Sequence, residues 1–199
     1  GIAKDRMIRY LENKYGLAAK DIVVTSFRPV QIVQGYHEMY AYIKGGDKYQ
    51  DEFTVKMSAD WKEIKDNYYG LLIREELEQM AKDVFADVSS GVKVKTNIRF
   101  TGYFPPEVKA NTSLQEILAN DWLAGNSLLV FVREGDIAQG ADFKEAAERF
   151  KTEWKKIDPK TYNGQRIMLI PADIYDKLNR YNQSEFIFRA DPWPWLQDE

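Results

Sequence analysis

Three carboxylates lie close together in the segment REGDIAQGAD, residues 133–142, and carboxylates are a common source of acid–base and metal chemistry. Glu134, Asp136 and Asp142 offer hard oxygen ligands of the kind that Ca²⁺ takes, and paired carboxylates can exchange protons with a substrate. Their spacing does not match the alternate ligand positions and closing Glu of an EF-hand loop. A turn at 135–136 and a favourable charge in the first turn of a helix explain the same residues. A carboxylate-dependent enzyme with its site near this loop therefore stays an alternative.

The chain has one histidine, His37, and no cysteine. Without cysteine it has no disulfide, no thiolate metal ligand and no thiol nucleophile. A Ser-His-Asp triad would have to use His37, and no serine stands in the G-x-S-x-G setting of an exposed nucleophile. The glycine patterns of phosphate-binding loops are also missing from the sequence. We interpret His37 as a structural residue of a strand, assign no catalytic residue, metal or cofactor, and predict that the protein is not an enzyme.

The segment REELE, residues 74–78, gathers three carboxylates on the longest helical pattern of the chain. Glu75 and Glu78 fall off the apolar stripe of that helix. Arg74 precedes Glu78 by four residues, which is the spacing of a helical ion pair. The pattern indicates a solvated helical face and no acid–base site.

A basic row runs along the strand pattern VKVKTNIRF, where Lys93, Lys95 and Arg99 alternate with apolar residues beside Asn97. Sheet faces bind single-stranded nucleic acid when aromatic residues interleave with the charges, but Phe100 belongs to the opposite face. The net charge is −3 and the basic residues are spread along the chain, so no nucleic-acid partner is expected. The row is expected to be the solvent face of a half-buried strand.

Aromatic residues provide the candidate binding surface. The chain has twelve Tyr and five Trp, residue types that suit half-buried surfaces that are wet at one end. Alternation in YHEMYAYIK places Tyr36, Tyr40 and Tyr42 on one face of a strand, where we expect them to meet the long helix. In the tail DPWPWLQDE, two prolines keep the backbone extended, so Trp193 and Trp195 point to the same side. These five residues are the candidate ligand-binding residues, and the alternative for the tail is that it caps the protein's own core.

The elements that must position these side chains alternate between helical and strand patterns. In chain order they are a helix at 2–15, the strands DIVVTSF, YHEMYAYIK and EFTVKMSAD, a helix at 67–88, the strand VKVKTNIRF, a helix at 113–120, the strand SLLVFVRE, a helix at 141–157, the strand QRIMLI, a helix at 172–178 and the strand SEFIFRA. This order, roughly αβββαβ then αβαβαβ, predicts an α+β fold with mixed or antiparallel sheets and packed helices.

The double proline at 105–106 interrupts the pattern, because it continues neither a helix nor a strand. Short strands from either half alone would make poor sheets. We therefore expect a single α+β domain over residues 1–199, or two packed subdomains at 1–104 and 107–199.

The start of the chain bears on where the protein works. It begins with Gly1 and lacks an apolar run of the about 20 residues that a membrane-spanning helix needs. A terminus trimmed from a longer exported precursor explains this start, and a mature start or an internal domain boundary is the alternative.

One resemblance concerns the order of patterns in the first half of the chain. The segments that carry it are MIRYLENKYG, IVVTSF, YAYIKGGD, DEFTVKM and DNYYGLLIREELEQMAKDVF. This order resembles uncharacterised exported lipoproteins of Gram-positive bacteria. The resemblance implies that a lipid-modified Cys before the domain anchors it to the outer face of the membrane, and it supplies no catalytic residues.

These observations lead to one expected function and two alternatives. We expect an extracytoplasmic, membrane-tethered domain with a binding or structural role at the cell envelope. Its partners would be the membrane, through an N-terminal anchor, and an unknown protein or small ligand. The alternatives are the carboxylate-dependent enzyme near 133–142 and a cytoplasmic interaction domain that uses Trp193 and Trp195.

Overall fold

The structure is a computed structural model that describes residues 1–160 and 164–187. Its elements in chain order are α1 (Ile2–Tyr15), a 3₁₀ turn (Ala19–Asp21), β1 (Ile22–Arg28), β2 (Tyr36–Ile43), β3 (Phe53–Ser58), β4 (Ile64–Asp66), α2 (Tyr69–Val88), β5 (Val94–Phe100), α3 (Leu114–Ala119), β6 (Asn126–Arg133), α4 (Ala141–Ile157), β7 (Gln165–Ile170), α5 (Ala172–Lys177) and α6 (Gln183–Ile187). Within these residues, no helix combines the length and the apolar character that crossing a bilayer requires.

The strands form two sheets. The first has four strands in the order β1-β2-β3-β4, and each neighbouring pair is antiparallel. The second has the order β5-β6-β7, with β6 and β7 parallel. The predicted α+β class, with mixed and antiparallel pairing, is confirmed.

The chain forms two compact units, each made of two segments. Unit 1 comprises Gly1–Ile73 and Phe100–Ala124, and unit 2 comprises Arg74–Arg99 and Gly125–Glu199. The first sheet belongs to unit 1, and β6 and β7 belong to unit 2. The expectation of a single domain, or of subdomains at 1–104 and 107–199, stays a prediction.

The core of unit 1 lies on one face of the antiparallel sheet. The apolar stripe of α1 buries Met7 and Leu11, and Gly16 ends this helix in a left-handed conformation (φ 69°) that glycine adopts without strain. Alternation along the strands turns every second residue toward the same core. The other core residues are Ile22, Met39, Ala41, Phe53, Val55, Met57 and Tyr68.

The core of unit 2 includes the apolar stripe of α4. Phe143, Ala147, Phe150 and Trp154 are buried, as the helical spacing predicts. The ring centroids of Phe85 and Phe150 are 5.8 Å apart, within the range of favourable aromatic pairs. The strands β6 and β7 are nearly continuous apolar runs, which is typical of parallel strands covered on both faces.

The solvent face expected for strand β5 is wrong at two positions. Asn97 is only 2 % exposed and accepts a hydrogen bond from the guanidinium of Arg180. The Lys95 ammonium is part-buried and donates to the carbonyl oxygens of Tyr175 and, at 2.8 Å, of Leu178. Lys95 thus binds two carbonyl oxygens at the C-terminal end of α5, and burial lowers its pKa.

The solvated face expected for α2 is wrong at Glu78, which is 5 % exposed. One carboxylate oxygen accepts the backbone N–H of Ile98 at 3.0 Å, and the other forms an ion pair with Arg180. Arg180 is 102 residues further along the chain, so local helix spacing with Arg74 could not reveal this pairing.

Two strand assignments also change. The segment SEFIFRA begins in helix α6 and not in a strand, and its last residues lie outside the described ones. The side chain of Asn179 accepts the backbone N–H groups of Tyr181 and Asn182, a local turn that leads the chain into this helix. The three-residue strand β4 was not predicted, because so short a segment shows no measurable period.

Candidate functional site

One face of helix α1 borders a cationic groove of unit 1. Steps of three and four residues bring Arg6, Arg9, Tyr10, Asn13 and Lys14 onto this face. Across the groove lie Ile64 of strand β4 and the segment that carries Pro106 and Lys109. The groove measures about 630 Å³, and its lining contains no carboxylate; the lining residues are Arg6, Arg9, Tyr10, Asn13, Lys14, Ile64, Pro106 and Lys109.

The wall of the groove is fixed by Asp66, a fully buried carboxylate at the end of β4. Its Oδ2 accepts the Tyr10 hydroxyl at 2.7 Å and the Lys14 ammonium at 2.8 Å. Its Oδ1 accepts the Tyr15 hydroxyl at 2.6 Å and the backbone N–H of Tyr68 at 2.9 Å. Four donors therefore satisfy the carboxylate, as a buried charge requires.

Burial and the charge of Asp66 together keep the tyrosine hydroxyls of this network protonated. Burial first, and then the charge of Asp66, raise the pKa of both Tyr10 and Tyr15 far above that of free tyrosine. Both hydroxyls therefore stay protonated at neutral pH and act as hydrogen-bond donors, not as bases. The network positions side chains and offers no general base to a ligand.

The positive charge of the groove comes from three residues. Lys14 is neutralised by Asp66, whereas no carboxylate in residues 1–160 and 164–187 pairs with Arg6, Arg9 or Lys109. Arg6 donates to the carbonyl oxygen of Trp61 at 3.3 Å, which leaves its charge uncompensated. Because the whole chain carries a net charge of −3, this groove is a local reversal of sign. It attracts anions.

The predicted tyrosine face lies on the opposite side of the first sheet from α1. Tyr36, Tyr40 and Tyr42 alternate with the core residues of strand β2, as the sequence indicates. The Tyr40 hydroxyl donates to Glu38 at 3.2 Å, and Glu38 pairs with Lys56 at 3.2 Å. Tyr36 and Tyr40 are thereby linked through the Glu38–Lys56 pair, and Tyr42 lies further along the same face.

Cations lie over two of the three tyrosine rings of this face, those of Tyr36 and Tyr40. The Lys56 ammonium lies 5.5 Å from the ring centroid of Tyr36 and 5.2 Å from that of Tyr103. The guanidinium of Arg28 lies 5.4 Å from the ring centroid of Tyr40. The depression beside Tyr36 measures about 140 Å³, and one beside Tyr40 measures about 390 Å³. A ligand stacking on Tyr36 or Tyr40 would have to displace a cation from the ring. Trp193 and Trp195 lie outside the described residues.

The carboxylates of the 133–142 loop maintain the loop's own structure. Asp136 accepts from Arg133 at 3.1 Å and from the backbone N–H of Lys93 at 3.0 Å. Glu134 accepts from the Gln139 amide, and Asp142 lies in the first turn of α4. Across the described residues, no group of three His, Cys, Asp or Glu side chains is placed to hold a metal ion. This geometry offers no support for an enzyme site at the loop.

His37 is buried in unit 1 beside the hairpin that joins β1 and β2. Its Nδ1 accepts the backbone N–H of Val30 at 3.1 Å, and its ring stacks on Phe27 at 6.1 Å between centroids. Trp61 Nε1 lies 3.3 Å from the other ring nitrogen. These contacts hold the base of the hairpin in place, which is a structural role.

Sequence patterns alone missed the groove. The recurrence of basic and polar residues along α1 was visible, but a charged helix face is usually only solvated. The distinguishing features are Asp66, Pro106 and Lys109, which the fold brings to α1 from over 50 residues away.

Three comparisons with known proteins complete the description of the site. The chain matches no protein-family model, no curated protein and no solved structure.

Proposed function

We propose that the protein is a non-enzymatic binding domain that takes a small anion, bearing phosphate or carboxylate groups, in the α1 groove. The observation that carries the proposal is the set of three uncompensated cations, Arg6, Arg9 and Lys109, around a groove that no carboxylate lines. The three like charges repel one another, although the chain as a whole is negative. A bound anion would relieve this repulsion.

The residue types suit this ligand class. Each guanidinium presents a planar set of N–H donors that matches two oxygens of a phosphate or carboxylate group. Arg6 and Arg9 are one helical turn apart on the same face, and Lys109 adds a point charge from the other side. Ile64 and Pro106 offer apolar contact to the body of the ligand.

The groove's size and rigidity also support a small ligand. Its volume of about 630 Å³ lies in the usual range for small-molecule sites. Tyr10 and Lys14 are locked by the buried Asp66, so one wall is preorganised before any ligand arrives. The cations are solvent-exposed, and the network holds no general base, which favours reversible binding over catalysis.

Calorimetric titration with pyrophosphate and with citrate tests the proposal. We expect binding of at least one probe, and a loss of about thirtyfold or more in affinity for the variant Arg6→Gln/Arg9→Gln, since each of the two lost charge-assisted contacts contributes about 1 kcal/mol or more. Arg166→Gln is the matched control, because Arg166 is an exposed arginine of strand β7 that lines no described groove. Absence of binding to both probes, or an equal loss in the control, would refute the proposal.

We also propose that the domain works outside the cytoplasm, held at the cell envelope by a membrane anchor that precedes residue 1. What supports this location is the resemblance of the first half of the chain to exported lipoproteins of Gram-positive bacteria. Metabolic labelling of the complete gene product with a radioactive fatty acid, followed by cell fractionation, tests it. A labelled product in the membrane fraction is expected, and an unlabelled product in the cytosol would count against the location.

A further inference from the structure

The tip of the hairpin between β1 and β2 carries two solvent-exposed aliphatic residues, Ile32 and Val33. Gln31 and Gln34 exchange two backbone hydrogen bonds, of 3.1 and 3.0 Å, which makes Ile32 and Val33 the two central residues of the turn. Both side chains are fully exposed. Isolated apolar residues on a surface are ordinary, but an adjacent pair at the tip of a hairpin is a protruding apolar wedge.

Local folding does not account for this pair. Two-residue hairpin turns favour Gly, Asn and Asp, because the turns that match strand twist need positive φ angles. In the part of the chain that the structure describes, the non-glycine residues with positive φ are Trp61 and Asp121, so Ile32 and Val33 do not adopt the favoured turn. Two β-branched residues stand where neither turn geometry nor core packing requires them.

The wedge is held on a fixed base. The backbone N–H of Val30 donates to His37 Nδ1 at 3.1 Å, just before the turn. Just after it, the carbonyl oxygen of Gly35 accepts the backbone N–H of Ala59 at 3.2 Å. These bonds fix the two sides of the hairpin to His37 and to Ala59, so the tip points in a defined direction.

The start of helix α1 lies at the same end of unit 1. Ala59 begins the turn between β3 and β4, and Trp61 of that turn accepts the hydrogen bond from Arg6. Ile2, which is 74 % exposed, lies one helical turn before Arg6. An anchor attached before residue 1 would therefore reach the membrane from the end of unit 1 that carries the wedge.

We propose that this end of unit 1 docks on a lipid surface, with Ile32 and Val33 inserted at the boundary between headgroups and acyl chains. The inference rests on the proposed envelope location and specifies which surface faces the bilayer. A protein partner would need a matching pocket and about 800 Å² of contact on each side, which two residues do not provide. A bilayer accepts a convex apolar wedge without a preformed pocket.

Charge at this end gives a modest preference for anionic lipids. Arg6, Arg28 and Lys62 lie beside the two turns, and Asp60 and Glu63 partly offset them. Long basic side chains reach headgroup phosphates while aliphatic residues insert. Insertion of the wedge is therefore the main contribution, and anionic headgroups strengthen it.

Vesicles of phosphatidylcholine mixed equally with phosphatidylglycerol provide the test. The chain has no cysteine, so Val33→Cys supplies one thiol for the environment-sensitive label nitrobenzoxadiazole. An N-terminal histidine tag on a nickel-chelating lipid imitates the anchor and raises the effective concentration. Lys48→Cys is the matched control, because Lys48 lies in the β2–β3 turn at the opposite end of the same sheet.

We expect the label at position 33 to brighten, shift to the blue and be quenched by nitroxide lipids, while the label at position 48 does not respond. The second variant, Ile32→Asn/Val33→Gly, restores favourable turn residues. It should unfold at the same temperature or higher and bind untagged to vesicles about tenfold more weakly. An unresponsive label at 33, equal responses at both positions or unchanged vesicle affinity would each overturn the inference.

These outcomes are distinct from those that test the proposed function. Loss of vesicle docking with intact pyrophosphate or citrate binding overturns the lipid surface alone. Vesicle docking without binding of either anion overturns the role of the groove alone. Fractionation of the complete gene product tests only the anchor.

Discussion

The hydroxyl of Tyr15 lies 2.6 Å from Oδ1 of Asp66 and thereby ties the last turn of helix α1 to the edge strand β4. Asp66 has three further donors and no contact with solvent. Both the wall of the α1 groove and the polar contacts that hold the C-terminal part of α1 depend on this one carboxylate.

We predict that Asp66→Ala lowers the free energy of unfolding by about 3 kcal/mol or more, because it leaves the Lys14 ammonium without its counter-ion and two tyrosine hydroxyls without an acceptor. Urea denaturation followed by circular dichroism measures the loss. Glu63→Ala is the control from the same β3–β4 region, since Glu63 is exposed. Similar losses in the two variants would contradict the role assigned to Asp66.

The raised pKa values of Tyr10 and Tyr15 predict alkaline instability. Their folded-state values lie above the unfolded value of 10.0, so their contribution to stability is complete below pH 10 and is lost as pH rises above it. In that range, Tyr15→Phe should flatten the slope of unfolding free energy against pH by about 1.4 kcal/mol per pH unit. Urea unfolding at several alkaline pH values tests this. Tyr181→Phe, at an exposed position, should leave the slope unchanged.

Gly70 in the first turn of α2 has no room for a side chain. A Cβ at this position would lie 2.2 Å from Cδ2 of Phe100. Gly70→Ala should therefore destabilise the protein by about 1–3 kcal/mol, although alanine normally favours a helix. Thermal unfolding measures the change, and the second substitution Phe100→Leu should restore part of the loss. A stabilised Gly70→Ala variant would show that the two segments separate easily.

The buried pair Glu78–Arg180 predicts strong coupling within unit 2. Arg180→Met alone leaves a buried carboxylate without its cation and should cost about 3–5 kcal/mol. Adding Glu78→Leu removes that stranded charge, so the double variant should be more stable than the sum of the two single losses predicts. A double-mutant cycle in urea measures this coupling, and strictly additive losses would mean that the pair is not coupled.

The sequence predicted the elements with strong local signals. Helix α1 was predicted at its observed bounds because its apolar stripe is regular and Gly16 marks its end. Helix α4 and strand β7 were also predicted to the residue, since a clear period and a continuous apolar run define them. Local pattern sufficed wherever the elements depend mainly on their own residues.

Burial of polar residues was not predictable in the same way. Glu78 and Asn97 looked like solvent-facing positions, and both are covered through Arg180, which is distant in sequence. The α1 groove has the same origin, since Asp66 and Lys109 reach the helix only through the fold. A single sequence carries no local signal for such partners.

The interleaving of the two units has a consequence for how the protein is made and dissected. The chain leaves unit 1 within α2, between Ile73 and Arg74, and returns within β5, between Arg99 and Phe100. During synthesis, unit 1 therefore stays incomplete until Ala124 has emerged from the ribosome. By then residues 74–99 of unit 2 have already been made, but the strands β6 and β7 that complete unit 2 have not. A stop codon after residue 124 would leave residues 74–99 without the rest of unit 2. Isolating unit 1 therefore requires replacing residues 74–99 with a short linker.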